Sequence, residues 1–183
     1  MKEWIGYYEN VLPETLSNNI MDIKDGWKAS GFSNHDGRLD DKKGKERVIS
    51  DEIYITQYAP YYDDLFQATL TVAKSYKLLH PYTKYMSSVR HTNYKVQRYQ
   101  EGGFMSAHAD AIFHSHGQNY GFPESTVIFF PNDDYEGGEF VISDIVYKPK
   151  KNSAIMFPSN FMFPHYVKPI TKGTRFSILT WLM

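Results

Sequence analysis

The apolar positions of this chain change period part-way along it. Between Pro13 and Gly26, Leu16, Ile20 and Ile23 recur at helical spacing, which predicts a helix opened by the proline and ended by the glycine. A second helix is predicted from about Pro60 to Leu79, with Leu65, Leu70, Val72, Ala73, Tyr76 and Leu79 as a broad apolar face suited to packing on a sheet. Trp4 to Tyr8 suits a short strand. After His80-Pro81 the pattern becomes one of short β-type runs separated by turn residues: YKVQRYQ, FMSAHAD, STVIFFP, EFVISD, IVYKP, SAIMFP, HYVKPI and RFSILTWLM. Eight such runs predict a mainly β fold with N-terminal helices, two sheets closed as a jelly roll and the helices packed on one sheet. The expected organisation is a single domain over residues 1–183, with a helical support at 1–82 and a jelly-roll core at 83–183. The polar, glycine-punctuated stretch from Ser33 to Ser50 reads as a surface loop able to fold over a bound ligand.

Composition narrows the class. With 183 residues, 42% hydrophobic and 22% charged, the chain has enough apolar material for one substantial core. Lys plus Arg number 20 and Asp plus Glu 21, so no net field attracts nucleic acid or an acidic membrane, and neither is expected as a partner. The N-terminus MKEWIGYYENVLPE lacks the apolar run of a signal peptide, and no stretch has the length of a membrane span, so a soluble, cytoplasmic protein is expected. The absence of cysteine means that any bound metal must be held by nitrogen and oxygen, which favours iron or a harder ion.

That restriction gives weight to RYQEGGFMSAHAD, Arg98 to Asp110. Side chains two apart on a strand share a face, so His108 and Asp110 present an imidazole and a carboxylate together. A third donor, His165, opens a later β-type run. Two histidines and one carboxylate on one face of an ion, with the other face open, form the facial triad of non-haem Fe(II) oxygenases. Arg175, ten positions after His165, could hold the far carboxylate of a dicarboxylate co-substrate through two charge-assisted hydrogen bonds.

His-x-Asp, a gap of some fifty residues, His, and a cation ten positions on resemble the pattern of the 2-oxoglutarate and Fe(II)-dependent oxygenases, in their prolyl 4-hydroxylase-like branch. The resemblance runs from about residue 94 to 182 and includes YEGGEFVI, NSAIMFPS and KPITKGTRFSILTW. It implies a double-stranded β-helix, Fe(II) held by His108, Asp110 and His165, and 2-oxoglutarate bound through Arg175. It also implies O2 as oxidant, ascorbate as a supporting reductant, release of succinate and CO2, and hydroxylation of prolyl residues in a peptide or protein. By the same resemblance Tyr99, nine residues before His108, lies beside the co-substrate, Thr126 near its distal carboxylate, and Trp181 near the iron on the substrate side. His114 and His116 are expected to border the substrate groove.

Two positions depart from the family pattern. Arg175 stands where collagen-type prolyl 4-hydroxylases have lysine, and Met105 where many relatives place a substrate-facing tyrosine. An oxygenase acting on another amino-acid side chain or a free small molecule is the nearest alternative, and a non-catalytic cupin-like binding domain the next. A nucleobase substrate is disfavoured, because the second arginine of the demethylase pattern is replaced by Trp181.

Overall fold

This computed structural model of the chain describes residues 1–31, 47–80, 83–84, 90–110 and 122–183. Two antiparallel sheets face each other. The larger has the spatial order β1 (Gly6–Tyr8), β11 (Ser153–Pro158), β7 (Ser125–Phe130), β14 (Arg175–Leu182), β5 (Tyr94–Tyr99), β4 (Asp51–Ile55) and β2 (Lys28–Ala29). The smaller runs β10 (Ile145–Tyr147), β9 (Phe140–Ile142), β12 (His165–Val167), β6 (Phe104–His108) and β3 (Val48–Ile49). A further pair joins β8 (Glu136–Gly137) to β13 (Ile170–Lys172).

Strand alternation builds two cores from one sheet. Val127 and Phe129 point to the outer face, where they meet Ile20, Leu65 and Val72 of the helices. Ile128 and Phe130 point inward, toward Phe140 and Val167 of the smaller sheet. All six residues of β7 are therefore buried, which explains why STVIFF reads as an unbroken apolar run rather than an alternating one.

The helices are α1 (Glu14–Met21) and α2 (Tyr62–Leu79). Pro13 is the N-cap of α1, as its fixed φ and missing N–H allow. The helix stops at Met21, earlier than Gly26, because the chain bends there and Trp27 Nε1 donates to the Ile23 carbonyl. Gly26, at φ +87°, serves the turn beyond the helix. On α2 the buried stripe is Leu65, Ala68, Thr69, Val72 and Tyr76, while Leu79 is 65% exposed, so the apolar face ends a turn earlier than its sequence suggests. Thr69 tolerates burial because its hydroxyl donates to Leu65 O and meets Tyr94 Oη. No helix among the described residues is long and apolar enough to cross a membrane.

Strands also arise within residues 1–82, so the sheets are not confined to the later part of the chain. β1 pairs with β11, β3 with β6 and β4 with β5. At the N-terminus only Gly6–Tyr8 is extended, since Lys2–Trp4 forms a 3-10 turn. HYVKPI is split at Lys168-Pro169 into β12 and β13, which pair with different partners. Residues 33–46 of the expected lid, and His114 and His116, lie outside the described residues. Of the remaining part of that stretch, Val48–Ile49 forms β3.

Candidate active site

Strand register brings the dispersed donors together. β12 lies antiparallel to β6 with His165 directly opposite His108, and their ring centroids are 4.3 Å apart. Asp110 follows β6 by two residues and reaches both, with Oδ1 3.4 Å from His108 Nε2 and Oδ2 3.5 Å from His165 Nε2. One donor atom from each of the three lies within 4.8 Å of the others.

The surrounding hydrogen bonds decide which atoms face inward. His108 Nδ1 lies 2.9 Å from Ser106 O, and His165 Nδ1 3.1 Å from Phe163 O. A carbonyl cannot donate, so each Nδ1 carries a proton, and each ring directs its Nε2 toward Asp110. Two imidazole nitrogens and a carboxylate oxygen converging on one point are donors that a single cation can share. The set thus fits a divalent metal taken by nitrogen and oxygen, Fe(II) included.

The electrostatics agree. Burial alone would raise the Asp110 carboxyl, but His165, His108 and the Thr126 hydroxyl outweigh it and hold it well below the usual carboxylate range. Burial pushes His165 down to about 4, against the pull of Asp110. A carboxylate and a neutral imidazole are the protonation states that metal binding requires.

The trio borders a cavity of about 110 Å³ that also reaches Tyr99, Met105, Arg175 and Trp181. Arg175 is 1% exposed, lying 5.1 Å from the Tyr99 ring centroid and 5.4 Å from that of Phe130. It hydrogen-bonds Ser177 and Tyr135, yet among the described residues its Nε has no acceptor and no ion pair includes it. A buried guanidinium without a carboxylate is costly unless an anion joins it. Burial pushes the Tyr99 phenol up to about 12, with Arg175 pulling the other way, and its hydroxyl lies 3.9 Å from Met105 Sδ.

Of the eight described residues singled out from the sequence, seven therefore line one cavity. The eighth, Thr126, is placed elsewhere. It stands opposite Trp181 in the β14–β7 register, six positions from Arg175, which is roughly 20 Å along a strand. Its hydroxyl donates to Asp110 Oδ2 at 2.6 Å and meets Ser159 Oγ at 2.8 Å, so it acts on the carboxylate of the trio rather than at the Arg175 end. The cavity also includes Lys95, Gln97 and Ser177, which the sequence reading passed over. Lys95 and Gln97 share the strand parity of Tyr99, a signal available once Tyr99 is put inside.

The 2OG-Fe(II) oxygenase superfamily profile matches residues 94–183, the segment that holds all these donors. The chain carries a 2OG-Fe(II) oxygenase domain. A PKHD-type hydroxylase of Delftia acidovorans is 35% identical over 95 residues, covering 48% of this chain and 41% of that protein. Prolyl 3-hydroxylase 2 of Homo sapiens is 36% identical over 69 residues, 34% of this chain and 10% of that protein. The chain thus spans less than half the length of these curated relatives.

Among solved structures, the viral collagen prolyl hydroxylase of Paramecium Bursaria Chlorella virus-1 aligns over 97% of this chain and 94% of its own, with TM-score 0.67 and 16% identity. A Trichoplax adhaerens prolyl hydroxylase in complex with a hypoxia inducible factor peptide fragment aligns over 99% and 84%, with TM-score 0.71 and 15% identity. At such identity the likeness bears on the fold, which is the double-stranded β-helix of these oxygenases.

Proposed function

We propose that the protein is a 2-oxoglutarate- and Fe(II)-dependent dioxygenase that hydroxylates prolyl residues in a peptide or protein, releasing succinate and CO2. The observation that carries this reading is the pairing, across one cavity, of a buried Arg175 with no carboxylate partner among the described residues and a His108–Asp110–His165 trio whose donor atoms converge.

Fe(II) with 2-oxoglutarate and O2 supplies the oxidising power for an unactivated C–H bond. The chain's own residues bind, orient and shield. His108, Asp110 and His165 hold the metal from one side, and Thr126 fixes the orientation of the Asp110 carboxylate. Arg175 takes the distal carboxylate of the co-substrate, with Tyr99 packed against its guanidinium. Trp181 and Met105 wall the side left for substrate. Burial of the site excludes water that would otherwise quench a reactive species. The relatives named as prolyl hydroxylases support a prolyl substrate, and an extended proline-rich segment loses little entropy on entering a groove. Ascorbate supports turnover, and residues 1–183 act as one domain in the cytoplasm without nucleic acid or membrane.

The test is incubation with Fe(II), 2-oxoglutarate and ascorbate across a panel of prolyl peptides, free amino acids and other side chains, with succinate and peptide mass as readouts. Addition of one oxygen to proline is expected, with the fragment masses locating it on the ring. Robust succinate release with free amino acids and none with any prolyl peptide would overturn the prolyl reading. No succinate release, with or without substrate, would favour a cupin-like binding domain.

A further inference from the structure

Gln97 lies on β5, two residues before Tyr99, and its side chain faces the cavity that holds Arg175 and the trio. It is 5% exposed, and its carboxamide nitrogen has no hydrogen-bond acceptor among the described residues. Buried polar groups in folded proteins are almost always satisfied, so an orphan amide turned into a cavity marks a place where a ligand completes the bonding.

Strand register says where along the cavity that ligand atom would sit. Tyr99 pairs with Arg175, and Gln97 with Ser177, the residue that accepts from Arg175 Nη1 at 3.4 Å. The Arg175 guanidinium thus leans one row along β14, into the row that Gln97 occupies. Two donors on adjacent strands that have no acceptor among the described residues, Gln97 Nε2 and Arg175 Nε, border the same end of the cavity. The trio is at the other end, since Thr126, which holds Asp110, pairs with Trp181.

We infer that Gln97 is a co-substrate-binding residue whose carboxamide donates to the distal carboxylate of 2-oxoglutarate beside Arg175. This rests on the oxygenase reading above. Geometry favours the distal carboxylate over the chelating end, because Gln97 shares the row of Ser177 rather than that of Trp181. Lys95, one row nearer the trio, is not available for the same task, since its ammonium is 3.7 Å from Glu52.

Direct binding tests the inference without turnover. Protein loaded with Mn(II) in place of Fe(II) would be titrated calorimetrically with 2-oxoglutarate and with pyruvate, which has the same keto-acid end and no distal carboxylate. For Gln97→Leu, close in size and apolar, the 2-oxoglutarate Kd is expected to rise about ten- to a hundred-fold, as for loss of a hydrogen bond to a charged group. The pyruvate and Mn(II) affinities stay as in wild type, and thermal stability holds or rises because an unsatisfied amide has been removed. Equal 2-oxoglutarate affinity in wild type and Gln97→Leu would overturn the inference, leaving water as the partner of the amide. A loss equal for pyruvate would overturn the distal assignment. Failure of the wild-type protein to bind 2-oxoglutarate at all would overturn the co-substrate reading itself, and Gln97 with it.

Discussion

Thr126 donates a 2.6 Å hydrogen bond to Asp110 Oδ2, and this single contact ties the larger sheet to the carboxylate of the His108–Asp110–His165 trio. Thr126 is fully buried and also meets Ser159, so its rotamer is fixed from both sides. Such supporting bonds fix the orientation of a ligating carboxylate and help keep it ionised. Thr126→Val keeps the shape and removes the hydroxyl. It should weaken Mn(II) or Fe(II) binding about 10- to 100-fold, measured by metal titration, with little change in 2-oxoglutarate affinity at saturating metal. A selective loss of 2-oxoglutarate affinity would instead put Thr126 at the co-substrate, as its resemblance to the family implies.

Removing a donor of the trio should be more severe. His108→Ala and Asp110→Ala are each expected to abolish 2-oxoglutarate turnover while the fold persists, because His108 ends β6 and Asp110 follows it, both beside the cavity rather than in either apolar core. Near wild-type turnover at saturating iron in either variant would refute the metal assignment.

At the opposite end, Arg175→Ala should raise the 2-oxoglutarate KM by on the order of 30- to 1000-fold, the roughly 2 to 4 kcal/mol of a charge-assisted bidentate contact. Arg175→Lys should be milder, since it keeps the charge and loses the fork. An unchanged KM in the alanine variant would show that Arg175 only packs against Tyr99 and Phe130.

The division between what could and could not be read in the sequence follows physical lines. Strand parity made the His108–Asp110 pair visible, because a separation of two residues is local geometry, although β6 ends at His108 and Asp110 lies just beyond it. That His165 stands opposite His108 is register, a tertiary property that neither run contains alone. β4 went unseen because its charges hide its pattern. Asp51 pairs with Arg98 at 2.8 Å and Glu52 with Lys95 at 3.7 Å, so cross-strand ion pairs stand where apolar residues would have signalled a strand. Leu79 looked like a core residue because helical periodicity cannot say where the sheet beneath it ends. Gln97 is likewise invisible as a ligand donor until burial reveals its unmet amide.

Gly138 gives the Arg175 seat its room. Its φ is +63°, and a Cβ there would overlap Ile170 Cδ1 and lie 3.1 Å from Arg175 Cδ and 3.3 Å from Tyr135 Cε2. Gly138→Ala is therefore strained in its backbone, collides with Ile170 and crowds the Arg175 stem. It should destabilise the protein by roughly 1 to 3 kcal/mol in urea unfolding and weaken 2-oxoglutarate binding at temperatures where the fold is intact. Wild-type affinity in the folded variant would show that Arg175 tolerates the methyl group by shifting its stem.

His91 sets a pH dependence of stability that is independent of the metal site. Its Nδ1–H donates to Thr92 O at 2.8 Å, and its Nε2, 3.1 Å from Tyr62 Oη, accepts the phenolic proton. Only a neutral ring can make both bonds. The ring also stacks on Phe66 at 5.2 Å. Burial lowers its pKa, with the Thr92 carbonyl pulling the other way, and burial lowers that of His80 as well. An unfolded histidine titrates near ~6.5, so just below that value the unfolded chain holds more protons than the folded one. Stability should consequently be fullest above about pH 7 and fall as the pH drops toward about 5. His91→Gln removes one such group, so its destabilisation relative to wild type should shrink across that window in urea titrations. A difference that stays constant from neutral to acid pH would show that burial does not hold His91 neutral.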